Sequence, residues 1–209
     1  MPELTSEIIN VGLPLALELS KFFNVVGYDI DVEKIENLKQ GKDVTNNNIE
    51  CDNIKNSSLT FEYKLNQARV SDVYIVTVPT PITAENKPDL NFLEAVSITV
   101  GQHLKPDDLV IYESTVFPGA TEQVCVPLLE KESGLKLNTD FGIGYSPERI
   151  SPGDSVRRIT NTKKIISGSN EFYLGRSKKI YTKILGDLLV PVSSIRVAEA
   201  AKLIENVQR

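Results

Sequence analysis

Apolar residues recur along this chain at two spacings, one helical and one strand-like, that take turns. Leu13, Leu15, Ala16, Leu19 and Phe22 keep a helical period, and residues 23–29 then read as a buried strand ending in the acid Asp29. A helix over 32–40 closes at Gly41. The Asn-rich stretch 45–58 predicts a loop with room for one helical turn, and 59–61 a short edge strand. Residues 70–78 form the strongest strand signal, a β-branched run too apolar to be exposed on either face. A Pro-containing loop over 80–88 leads to an amphipathic helix over 91–104. A strand over 109–113, a break at 114–119 and a helix over 120–131 follow. Residues 141–146, 165–168 and 189–192 predict further strands, with a helix over 171–185 between the last two. Ser193 opens a final helix that reaches the last residue. Residues 1–6 carry no strand or helix signal. Strands alternating with helices through short connections imply an α/β fold, a doubly wound parallel sheet covered on both sides.

Composition narrows the function classes. The chain has 209 residues, a net charge of -5 and a pI near 5.1. Without a basic stripe to displace counterions, nucleic acid is not an expected partner. No apolar run has membrane-spanning length, and the first residues lack the basic-then-apolar order of a signal peptide, so the simplest reading is a cytoplasmic protein. Cys51 and Cys125 show no metal-ligand spacing, which leaves no zinc site or disulfide framework to expect. Cys125 lies in an apolar helical pattern and reads as core. The single histidine, His103, ends a predicted helix and reads as a C-terminal cap rather than a catalytic base.

In such a sheet, ligands lie outside the carboxyl ends of the strands, where this sequence places Asp29, Thr80, Thr115 and Glu148. Asp29 stands where a dinucleotide-binding fold puts the acid that accepts from a ribose; it equally suits the N-cap of the helix beginning at Val32. Lys34 either approaches the same ligand or solvates its helix. A G-x-G-x-x-G fingerprint ending at Gly12 would need glycines where the chain has Glu7 and Ile9, so only the helix-packing glycine survives. The segment Ser146-Pro147-Glu148-Arg149-Ile150-Ser151-Pro152-Gly153-Asp154 holds two carboxylates and a guanidinium between prolines that forbid helix. It is either a binding loop or a solvated turn with a structural ion pair. Lys202 and Asn206 stand i and i+4 on the last helix, with Glu199 nearby, as a solvated stripe or as an oxyanion-stabilising pair.

Several motifs in order resemble the NAD-binding domain of the UDP-glucose/GDP-mannose dehydrogenase family, from about Val11 to Arg209. They are Val11-Gly12-Leu13-Pro14-Leu15-Ala16, Val26-Gly27-Tyr28-Asp29, Val78-Pro79-Thr80-Pro81, Glu113-Ser114-Thr115-Val116-Phe117-Pro118-Gly119, the Ser146–Asp154 loop, and Ala198-Glu199-Ala200-Ala201-Lys202 with Asn206. The Pro-Glu-Arg-Ile and Pro-Gly-Asp wording is similar to the branch that oxidises UDP-N-acetylhexosamines rather than UDP-glucose.

The resemblance implies a Rossmann-like domain over 1–192, the start of a central helix over 193–209, and a substrate domain beyond it. It implies NAD as cofactor, with Asp29 and Lys34 on the adenosine half and Gly12, Thr80 and Thr115 along the cofactor path. Thr115 would help position a water, Glu148 would be the general base in thioester hydrolysis, and Lys202 and Asn206 would stabilise the oxyanion. Arg149 would contact the UDP-sugar. The product would feed capsule, O-antigen or related surface polysaccharide, and two chains would pair through the central helix. Against the family pattern, the first strand is expected to be missing, leaving an apolar gap, and so is the catalytic cysteine, which neither Cys51 nor Cys125 matches. The chain alone is therefore expected to be inactive. Alternatives are a piece of a UDP-glucose 6-dehydrogenase and a non-catalytic remnant that folds and pairs.

Overall fold

A computed structural model describes residues 3–7, 12–43, 49, 51–65, 71–148 and 159–208. Its strands are β1 (Glu3–Glu7), β2 (Asn24–Tyr28), β3 (Thr60–Glu62), β4 (Val73–Val76), β5 (Leu109–Tyr112), β6 (Gly142–Tyr145), β7 (Lys164–Gly168) and β8 (Leu189–Pro191). Its helices are α1 (Gly12–Ser20), α2 (Val32–Lys39), α3 (Cys51–Lys55), α4 (Asn91–Gly101), α5 (Val126–Ser133), α6 (Glu171–Leu185) and α7 (Ile195–Val207). The sheet runs β3-β2-β1-β4-β5-β6-β7-β8, a Rossmann-like order extended at one side.

Period-2 alternation divides the strand side chains between two layers. Ile75, Ile111 and Ile166 pack with Leu13, Leu19, Ile35 and Tyr181 on one face of the sheet. Val76, Val110, Tyr112, Ile143 and Tyr145 pack with Leu93, Leu129 and Ala198 on the other. Each fully buried aliphatic side chain contributes about 1.5–3 kcal/mol, so β4, β5 and β6, buried at every position, form a rigid platform for the loops at their ends.

Two expectations are corrected. The first strand is present: β1 pairs in parallel with β2 (Thr5 opposite Val26) and with β4 (Thr5 opposite Tyr74), so the backbone ladder closes and no gap is left in the sheet. Its sequence, Glu-Leu-Thr-Ser-Glu, has one apolar residue and gives no buried-strand signal. The sheet is also not wholly parallel, because β6 and β7 run antiparallel, with Gly144 opposite Gly168 and Tyr145 opposite Ser167. A short apolar run carries no information on strand direction.

Helix α6 sits close against the sheet at two glycines. A Cβ on Gly142 would lie 2.0 Å from the Tyr173 ring, and one on Gly168 would lie 2.3 Å from the Leu174 backbone nitrogen. Gly168 meets backbone, which cannot rotate away. Gly168→Ala is expected to cost about 1–3 kcal/mol, read as a lowered urea midpoint at unchanged slope.

Helix 120–131 differs from expectation in its first turn: Thr121–Cys125 is π-helical before α5 begins. His103 behaves as expected, its Nδ1 2.9 Å from the Thr99 carbonyl at the end of α4. Cys125 is fully buried, with burial pushing its thiol up to about 12. Among the described residues no group of His, Cys, Asp and Glu suits a metal, and no helix is long and apolar enough to cross a membrane.

Candidate active site

At the end of β2, Asp29 is 6% exposed. The cap of α2 is not Asp29 but Asp31, whose carboxylate accepts from the Lys34 backbone N–H at 3.1 Å. Asp29 instead accepts from the Asp31 N–H at 3.0 Å and pairs with the Lys34 ammonium. The structure thus separates the two roles that the sequence left open: one acid caps the helix and the other stands at the strand end with a lysine beside it. Gly12 is buried at the first position of α1. Glu7 closes β1; Ile9 lies outside the described residues.

Two and three strand spacings away, roughly 10 and 14 Å, the loops after β4 and β5 are bonded to each other. The Thr80 hydroxyl donates to the Thr115 carbonyl, and the Ser114 hydroxyl donates to the Val78 carbonyl at 2.6 Å. Tyr145 of β6 donates to the Ser114 carbonyl at 3.0 Å. Thr115 itself is exposed on this braced loop.

The same loop is held from the far side by α7. Glu199, with no exposed surface, accepts from the Gly119 N–H, the Thr121 N–H at 3.0 Å and the Thr121 hydroxyl at 2.7 Å. A carboxylate from the last helix thereby supplies the acceptor that the N–H groups at the start of the Thr121 helix lack. One turn on, the Lys202 ammonium donates to the Glu148 carbonyl. Lys202 and Glu148 are each 8% exposed, so the structure brings these two predicted residues into contact beside the Thr115 loop. Asn206 lies on α7 in the next turn. Its side chain, and Arg149 with the rest of the Pro-rich loop through 158, lie outside the described residues.

Beneath Glu148 is a charge cluster that the sequence did not disclose. The Lys164 ammonium donates to Glu113 Oε2 at 2.9 Å, Glu148 Oε2 at 3.3 Å and the Ser146 carbonyl at 3.4 Å. The Tyr181 hydroxyl donates to the other Glu113 oxygen. Burial works against the Lys164 charge, but Glu113 and Glu148 outweigh it and hold the ammonium above its usual range. Burial pushes the Glu113 carboxyl up to about 7, with repulsion from Glu148 adding to the rise and Lys164 and Tyr181 opposing it. The polar member Lys164 follows another lysine at the head of an apolar strand, and such a pair reads in sequence as solvated.

The family model described as UDP-glucose/GDP-mannose dehydrogenase family, NAD binding domain, matches residues 10–185. The chain belongs to the UDP-glucose/GDP-mannose dehydrogenase family. Among members of this dehydrogenase family, the chain is 49% identical over 200 residues to a UDP-N-acetyl-D-glucosamine 6-dehydrogenase of Pseudomonas aeruginosa, covering 95% of this chain and 47% of that protein. It is 45% identical over 199 residues to Protein CapL of Staphylococcus aureus, again covering 95% and 47%. The fold matches a GDP-mannose dehydrogenase from Pseudomonas aeruginosa, solved as a ternary complex, with a TM-score of 0.90 at 26% identity, over 100% of this chain and 50% of the other. A UDP-D-ManNAc dehydrogenase from Pyrococcus horikoshii matches with a TM-score of 0.89 at 30% identity, over 99% and 50%. The chain spans about half the length of the relatives it matches. The family match begins after Glu7 and Ile9, the two positions that a G-x-G-x-x-G fingerprint ending at Gly12 would fill with glycine.

Proposed function

We propose that this chain is the cofactor-binding half of an NAD-dependent dehydrogenase that oxidises C6 of a UDP-N-acetylhexosamine to the uronic acid, for surface polysaccharide synthesis in the cytoplasm. The observation that carries the reading is the contact of Lys202 with Glu148 beside the braced Thr115 loop, at the strand ends where such sheets take ligands. The similarity to a UDP-N-acetyl-D-glucosamine 6-dehydrogenase over 95% of the chain supports the substrate class.

The residues present fit NAD. A buried carboxylate at the end of β2 that is not consumed as a cap suits a ribose diol, and a buried glycine opening α1 suits the close helix–strand packing that sets a helix N-terminus at a pyrophosphate. Asp29 and Lys34 would hold the adenosine half, and Gly12, Thr80 and Thr115 would line the rest of the path. NAD, when bound, supplies the hydride acceptor. Glu148 serves as the general base that takes a proton from the water attacking a thioester, Thr115 helps to orient that water, and Arg149 contacts the sugar nucleotide. Lys202 and Asn206 stabilise the developing oxyanion.

The thiol for the covalent steps comes from neither cysteine of this chain. Cys125 is buried with a raised pKa, and Cys51 is exposed on α3, which precedes edge strand β3. We assign the thiol to a second domain, in the part of the relatives that this chain does not span, reached through α7. Val197, Leu203 and Ile204 on that helix are 45%, 49% and 58% exposed and suit pairing with a second copy.

Calorimetric titration of NAD into the chain tests the reading. The wild type is expected to bind and Asp29→Ala to bind about tenfold more weakly, with no NADH formed from UDP-N-acetylglucosamine by the chain alone. A second reading, a folded pairing domain without cofactor, rests on Glu7 and Ile9 in place of glycines. A folded chain that takes up no NAD selects that second reading.

A further inference from the structure

Glu148 reaches its place through a chain of buried polar contacts that begins three elements away. Tyr181 of α6 fixes one oxygen of Glu113, whose side chain has no exposed surface, and Lys164 holds the other. Lys164 is in turn held by the Ser146 carbonyl, stands 5.6 Å from the centre of the Tyr181 ring, and donates to Glu148 Oε2. Its partners stand at the ends of β5 and β6, so the ammonium spans the gap between two rigid strands. The antiparallel β6/β7 pairing accounts for the meeting: with Tyr145 opposite Ser167, the start of β7 lies beside the residues that follow β6, where the Ser146 hydroxyl donates to the Ile165 carbonyl at 2.7 Å.

Every described element around the cluster contributes a charged or titratable group. Glu113 comes from the end of β5, Glu148 from the end of β6, Lys164 from β7, Tyr181 from α6, and Lys202, on the Glu148 carbonyl, from α7. Tyr145 of β6 faces the same region and donates to the Ser114 carbonyl. Two carboxylates share the one Lys164 ammonium, so each feels the charge of the other through it.

Resting on the reading of Glu148 as the base, we propose that Lys164 is a positioning residue for Glu148, and that Glu113, locked by Tyr181, is the counter-carboxylate that fixes where the ammonium stands. Lys164 anchors one oxygen of Glu148. Glu113 limits how far the ammonium follows Glu148 outward, and Tyr181 prevents Glu113 from turning away. The sign of the coupling is set: removing the charge at 148 relieves repulsion on Glu113 and leaves the ammonium to Glu113 alone, which favours its ionised form.

The test is a pH titration of the Glu113 side-chain carboxyl by carbon-13 NMR in the chain as it stands, the signal being assigned by its loss in Glu113→Gln. The wild-type midpoint is expected near 7. Glu148→Gln is expected to lower it by about one pH unit, and Tyr181→Phe, which removes a donor to the ionised form, to raise it by about as much. Both variants keep side-chain volume, and unchanged amide spectra away from the cluster verify the fold. A Glu113 midpoint that does not move in folded Glu148→Gln overturns the proposal, because a merely structural Lys164–Glu113 pair would not sense position 148. NAD titration of the same samples separates the two readings: coupling without NAD binding defeats the cofactor assignment alone, and NAD binding without coupling defeats this proposal alone.

Discussion

Lys164→Met is expected to remove about 3–5 kcal/mol of folding stability at neutral pH, because it leaves buried carboxylates without their cation. Glu113 and Glu148 are 2% and 8% exposed, and water cannot take over the ammonium's role without opening the space at the ends of β5 and β6. The loss carries a pH signature. Glu113 has a folded pKa raised from its ordinary 4.5 to about 7, so the folded state binds more protons than the unfolded state between those values. Stability from this group is fully present below about 4.5 and is lost as pH rises through about 7. In Lys164→Met the Glu113 carboxyl stays protonated still higher, so the variant should lie nearer the wild type at pH 5 than at pH 8. Adding Glu113→Gln replaces the carboxyl that must hold its proton or ionise without a cation at pH 8 and should recover part of the loss there, a non-additivity that a double-mutant cycle measures directly. Urea unfolding of the four proteins at both pH values checks the set. Equal losses at the two pH values would mean that packing, not charge, explains the effect.

Glu199→Ala is expected to cost on the order of 3 kcal/mol or more, since it strands two buried N–H groups and a hydroxyl at the start of the Thr121 helix. Glu199→Gln is the sharper variant. Its amide keeps one oxygen acceptor but turns an NH2 toward groups that are themselves donors, so it should fall between Ala and wild type rather than match the wild type. Hydrogen exchange at the Gly119 and Thr121 amides is the local readout, and both should lose protection in Glu199→Ala before β5 does. Because the next turn of α7 carries Lys202, loosening this contact also frees the Thr115 loop from the helix that holds Glu148.

The parts of the site legible in sequence were those announced by local pattern. Asp29, Thr115 and Glu148 each follow an apolar run, and a polar residue at the end of such a run marks a strand end. Lys202 and Asn206 share a helical face by spacing, and Glu199 could be seen beside them. What Glu199 does could not, since its partners at Gly119 are eighty residues away in sequence. Lys164 and Tyr181 were hidden for a similar reason: a lysine before an apolar strand and a tyrosine in an amphipathic helix have ordinary local explanations, and only tertiary contact gives them a shared partner in Glu113. Strand β1 was missed because hydrophobic pattern was its only possible signature and four of its five residues are polar or charged; what places it is pairing with neighbours on both sides.

The antiparallel course of β7 decides which edge of the sheet receives its first residue. Had this strand run with β5 and β6, Lys164 would have emerged at the opposite margin, displaced by the strand's own length of roughly 13–16 Å, among Asp72 and Asp108 and away from Glu113 and Glu148. One change of chain direction therefore delivers a cation to the ligand-facing margin, and turns what would have been an anchor on the back of the domain into a neighbour of Glu148.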